Sequence, residues 1–74
     1  MPLFPNPAHD RITVITDQDF SNDSYIVYDA QGRPVLQGVL TSRKNEITVE
    51  SLSPGIYTLR TVGAGVGSVK FMKE

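Results

Sequence analysis

Residues 46–62 read EITVESLSPGIYTLRTV, and this stretch decides the fold. Ile47 and Val49 alternate with polar neighbours, and beyond a break at Ser53-Pro54-Gly55 the pattern resumes with Tyr57 and Leu59. Every second side chain of a strand shares a face, so both halves are half-buried strands with those residues inward. Pro54 and Gly55 occupy the places of the two central residues of a type II turn, the second of which needs positive φ.

The same alternation recurs in both directions. RITVIT (Arg11 to Thr16) puts Ile12 and Val14 on one face, SYIVYD (Ser24 to Asp29) does so with Tyr25 and Val27, and SVKFMK (Ser68 to Lys73) with Val69 and Phe71. PVLQGVL (Pro34 to Leu40) adds another apolar run, in which Gly38 marks a bulge or a close backbone approach. No window of eleven or more residues keeps apolar side chains at helical spacing without a Gly, a Pro or a turn cluster. With the proline-rich start the count is about seven short strands, the number and spacing of a small antiparallel β-sandwich. Turn chemistry agrees: Asp29-Ala30-Gln31-Gly32 sets an acceptor first and a flexible residue last, while SRKN (Ser42 to Asn45) and GAGVG (Gly63 to Gly67) read as two further hairpin turns.

At the start stands FPNPAHD (Phe4 to Asp10). Pro5 and Pro7 remove two backbone donors and bias Phe4 and Asn6 to extended conformations, so the segment can join a sheet only at an edge. It is expected to cap that edge.

Length and charge bound the rest. The 74 residues form one domain, near the size at which a single core must hold a fold unaided, and there is no cysteine for disulfides or thiolate metal sites. Seven basic and eight acidic side chains give a net charge of −1, so no broad field draws nucleic acid or an anionic membrane surface. No apolar run is long enough to span a bilayer as a helix, and the first residues do not pair a basic region with an apolar run as an export signal does. A proline-rich start of this kind reads as a module cut from within a longer chain.

Chemistry-bearing motifs are sparse. His9 is the single histidine, in an edge segment, and reads as solvated rather than catalytic. Asp17, Asp19, Ser21 and Asp23 have the alternate spacing of a calcium loop, but Asn22 replaces its Gly and Tyr28 its bidentate Glu; the run reads as a solvated turn. GAGVG precedes a strand rather than a helix and lacks the anion-binding helix N-terminus of a phosphate loop. Asn22-Asp23-Ser24 is a glycosylation sequon. No cofactor or metal is indicated. Ile15, Ile26, Tyr28 and Ile56 fall opposite their strands' core positions, where they either form an exposed apolar patch or are partly buried as the sandwich curls; burial is the preferred reading.

In order, FPNPAHDRITV, VYDAQGRPV, ITVESLSPGIYTLR and SVKFMK resemble the type A C-terminal sorting domain of type IX (Por) secretion cargo. The resemblance runs from Leu3 to Lys73. It rests on Pro5, Asn6 and Pro7; on Tyr28, Asp29 and Gly32; on Leu52, Gly55 and Tyr57; and on Lys70, Phe71, Met72 and Lys73. It implies an immunoglobulin-like sandwich spanning 1–74, ending a larger secreted protein of a Bacteroidota-type bacterium. The cargo would cross the periplasm, engage the outer-membrane translocon, and lose the domain to a sortase-type cysteine protease at or upstream of Leu3; catalysis belongs to that protease, not to this chain. Gly63 to Gly67 and Pro34 depart from the family pattern without touching its signature. Lys70 to Lys73 are the expected translocon contact, by strand addition, and a free edge would also allow weak homodimers. The competing reading is an adhesion or carbohydrate-binding accessory module, which three Tyr, three Phe and no Trp make a poor fit.

Overall fold

A computed structural model describes residues 3–15, 23–62 and 67–74. Among them are seven strands and no helix: β1 (Leu3–Phe4), β2 (Arg11–Ile15), β3 (Asp23–Tyr28), β4 (Pro34–Leu40), β5 (Lys44–Thr48), β6 (Gly55–Val62) and β7 (Gly67–Lys73). Every strand pairing is antiparallel, within a three-stranded sheet ordered β1-β2-β5 and a four-stranded sheet ordered β4-β3-β6-β7. This is an immunoglobulin-like sandwich whose fourth strand lies beside the third.

Alternation decides what lies between the sheets. Ile12, Val14 and Ile47 from one sheet meet Val27, Leu59 and Phe71 from the other, with Val49, Tyr57 and Ala8 completing the core. Phe71 is 1% exposed, and burying a side chain of that size stabilises by about 1.5–3 kcal/mol. Tyr57 and Phe71 are cross-strand partners whose rings stack 5.7 Å apart.

Three expectations need correction. SRKN is not a hairpin turn: β4 and β5 belong to different sheets, so the chain crosses the sandwich there. Asn45 holds the crossing, its Oδ1 accepting from the Thr41 N–H at 3.0 Å and its amide donating to the Ser42 carbonyl at 2.7 Å. β5 accordingly starts at Lys44, and Val49 lies just past it, its N–H donating to the Asp10 carbonyl. Ser53-Pro54-Gly55 is not a type II turn: Gly55 has φ 159°, far from the roughly 80° that such a turn needs, and the turn bond of this connection runs from the Leu52 N–H to the Val49 carbonyl. The preferred reading of the four outward apolar residues holds in part: Ile15, which lies in the opposite sheet, and Ile26 and Tyr28 are half-buried, while Ile56 is exposed.

Other readings are matched in detail. Gly32 takes φ 83° and its N–H donates to the Asp29 carbonyl at 3.0 Å, closing the β3–β4 turn. Gly38 is a close approach: a Cβ there would lie 2.6 Å from the Tyr25 hydroxyl. The calcium-like residues Asp17, Asp19 and Ser21, the sequon residue Asn22, and Gly63 to Val66 lie outside the described residues.

Candidate functional site

The proline segment acquires its purpose from where β1 stops. Leu3 and Phe4 pair with Val14 and Thr13 at the edge of the three-stranded sheet, and the chain then leaves that sheet for the other. Both X–Pro bonds, Phe4–Pro5 and Asn6–Pro7, are cis. Between the prolines, the Asn6 Oδ1 accepts from the Met72 N–H at 2.9 Å. Next, the Ala8 N–H donates to the Met72 carbonyl at 2.7 Å, and the Glu74 N–H to the Ala8 carbonyl at 2.8 Å, forming a parallel bridge of Ala8 with Lys73. Ala8 is fully buried, and His9 Nε2 lies 3.1 Å from the Glu74 carboxylate in an exposed pair. The segment therefore belongs to both sheets and shuts the end of the β7 edge.

Alternation along β7 shows how much edge remains. Met72 directs its N–H and C=O outward to Asn6 and Ala8, so Lys70 and Ser68, two and four residues earlier, direct theirs to the same side. The last turn of the edge is closed and the part before it open. Of the expected contact residues, Lys70 and Met72 point outward and are exposed, whereas Phe71 is core and Lys73 turns inward, 8% exposed, its Nζ donating to the Glu74 carbonyl at 2.8 Å.

The middle two signature segments meet on the same end. Asp29 fixes its turn by accepting at Oδ1 from the N–H groups of Gln31 and Arg33, both at 2.9 Å, and at Oδ2 from Arg33 Nε at 2.9 Å. The Arg33 backbone N–H is the main cause that holds the Asp29 carboxyl below the usual range, slight desolvation opposing it and the Arg33 side chain and Gln31 N–H adding to it. Tyr57 donates its hydroxyl to the Ser53 carbonyl at 2.6 Å. An early tyrosine in the sixth strand bonding back to the backbone a few residues upstream is the tyrosine corner of immunoglobulin-like sandwiches. Leu52, half-buried against the core, and Gly55 complete that corner. The two segments line one open depression of about 590 Å³ that includes Asp29, Arg33, Leu52, Gly55 and Tyr57. Gly55 pairs with Lys73 and Ile56 with Met72, so the four signature segments collect where β6 starts and β7 ends.

Sequence reasoning missed the Tyr57 hydroxyl bond, the Asn6 side-chain bond and the burial of Ala8. Only an Asn framed by prolines hinted at the second. No group of three or more His, Cys, Asp or Glu among the described residues could hold a metal, and no helix there is long and apolar enough to cross a membrane.

Comparison with known proteins gives one positive finding. A family model described as secretion system C-terminal sorting domain matches residues 2–73. No curated protein and no solved structure matches the chain.

Proposed function

The chain belongs to the family of secretion system C-terminal sorting domains, and from that premise we propose how this one is read. It is a sorting signal for type IX secretion, so the protein bearing it is exported to the cell surface or extracellular space. Interaction with the secretion system follows from that role. In our reading the 74 residues form a single domain that ends a larger cargo protein of a Bacteroidota-type bacterium and crosses the periplasm with it. The domain engages the outer-membrane translocon as a folded label and is removed at the cell surface by a sortase-type cysteine protease. It performs no catalysis itself.

The observation that supports this reading is the gathering of all four signature segments at one end, beside an edge that is half closed and half open. Contact would come from the outward Lys70 and Met72 and the free backbone groups before Met72, the partner adding a strand, while Phe71 and Lys73 keep the strand seated. The same edge would let two copies pair weakly.

A fusion of the chain to a secreted reporter, expressed in a bacterium with a type IX system, tests the reading. Lys70→Glu with Met72→Ser is expected to abolish export while leaving the fold intact by circular dichroism. Normal export of that variant would refute the proposed contact, and failure of the unaltered fusion to leave the cell would refute the sorting role in this host.

A further inference from the structure

Sorting through the β7 edge leaves the broad outer face of the four-stranded sheet without a purpose. Because Val27, Leu59 and Phe71 point inward, Ile26 and Tyr28 of β3, Thr58 and Arg60 of β6, and Ser68 and Lys70 of β7 point outward. Register sets them in two rows: Ile26, Arg60 and Ser68 in one, Tyr28, Thr58 and Lys70 in the next. Tyr28, Thr58, Arg60 and Ser68 line an open concavity of about 840 Å³. Around it stand exposed apolar side chains, Ile56 (44% exposed), Val62 (46%) and Met72 (45%).

The charges on this face are one-sided. No Asp or Glu occupies an outward position from Ser24 to Tyr28 on β3, or on β4, β6 or β7, among the described residues. The side chains of Arg60 and Lys70 have no hydrogen bond or ion pair with a described residue. Asp29 borders the concavity, but both its oxygens are occupied within its own turn. The opposite sheet differs: Arg11 stands 3.8 Å from Glu46 on its outer face, next to Lys44 and Thr48, the usual pattern of a solvated surface.

We propose that the outer face of the four-stranded sheet, centred on Tyr28 and Arg60, is a docking surface for an acidic protein partner. Tyr, Arg and Met are the residue types enriched where protein surfaces meet, and here they surround unneutralised positive charge. The concavity is too open to enclose a small molecule, which a pocket would bury over most of its surface. A partner presenting carboxylates between apolar side chains neutralises Arg60 and Lys70 and covers Ile56, Val62 and Met72 together. This surface shares Lys70 and Met72 with the strand edge but is centred on Tyr28 and Arg60, which the edge contact does not use, so substitution of Arg60 tests it apart from the sorting reading.

The test is an NMR titration of the ¹⁵N-labelled 74-residue chain with a synthetic peptide alternating Glu and Leu. Saturable shifts are expected at the amides of Tyr28, Thr58, Arg60 and Ser68, with binding about tenfold weaker for Arg60→Glu. Arg60→Gln, which preserves the strand should the Glu variant lose its dispersed spectrum, is expected to weaken binding in the same direction. Equal binding of a peptide with Gln in place of Glu would overturn the proposal. So would saturation of the same amides by sodium sulfate alone, which marks a small-anion site. Shifts confined to Phe4 and Glu46, or concentration-dependent broadening removed by Glu46→Lys, would also overturn it, the last by revealing a second copy as occupant.

Discussion

Asn6 and Met72 are joined across 66 positions of sequence by one hydrogen bond, the Asn6 Oδ1 accepting from the Met72 N–H at 2.9 Å. It closes an edge strand with a side chain where proline has removed the backbone donors on either side. Asn6→Ala should cost about 0.5–1.5 kcal/mol, toward the lower value because the bond is exposed, and should speed hydrogen exchange at the Met72 amide. Asn6→Asp keeps the acceptor and should restore most of the protection. Unchanged exchange at Met72 in Asn6→Ala would contradict the clamp.

Gly32 and Gly55 both belong to the family signature, yet their backbones differ. Gly32 at φ 83° is in the left-handed region, and Ala there should destabilise by about 1–2 kcal/mol. Gly55 at φ 159° also lies where residues with a Cβ are rarely found, although an added Cβ would meet nothing closer than Tyr57 at 3.9 Å. Gly55→Ala should therefore be strained through its backbone alone, by about 1–3 kcal/mol. Thermal melts of the two variants measure both losses; a Gly55→Ala variant as stable as the original would refute the backbone strain.

Gly38 makes room for Tyr25. A Cβ at Gly38 would lie 2.6 Å from the tyrosine hydroxyl and 2.8 Å from ring carbons, so Gly38→Ala must displace the ring and should cost about 1–3 kcal/mol. Tyr25→Ala removes the obstacle, and the double variant should then be more stable than the two single losses predict. Additive losses would mean that the contact is not what Gly38 serves.

Tyr57 acts through its hydroxyl as well as its ring. Tyr57→Phe retains the stack on Phe71 but strands the Ser53 carbonyl, an expected loss of about 0.5–1.5 kcal/mol in urea denaturation. A variant as stable as the original would remove the tyrosine corner from the account.

Asp29 gives the fold an acid sensitivity of known sign. Its folded pKa lies below its unfolded one, so its charge contributes stability above the unfolded value, about pH 4, that is lost as pH falls through the lower folded value. Asp29→Asn keeps an acceptor for the N–H groups of Gln31 and Arg33 but no charge. Its deficit in urea midpoint should be present at neutral pH and vanish in strong acid, whereas a deficit that is the same at both would exclude the charge as its cause.

Much of the fold was legible because strands are a local code. Period-two alternation placed Ile12, Val14, Val27, Leu59 and Phe71 on inner faces, and the Asp29 to Gly32 turn carried its own chemistry in four consecutive residues. The signature residues could be recognised one by one. Their meeting at one end could not, because that depends on Gly55 lying across from Lys73 and on Asn6 reaching Met72.

By itself, then, the sequence determined the strands, their buried faces and the family to which they belong, since each rests on neighbours two to four residues apart. Tertiary structure alone decided which sheet each strand entered. The SRKN segment has the composition of a hairpin turn but crosses the sandwich, because Asn45 bonds its connection while β5 finds its backbone partners on β2, 29 to 37 residues away. It also decided that half of the β7 edge is closed, that Lys73 faces inward, and that Arg60 is left with no carboxylate opposite it. Backbone hydrogen bonds between strands are indifferent to side-chain identity, so pairing follows from how the two apolar faces close on one another.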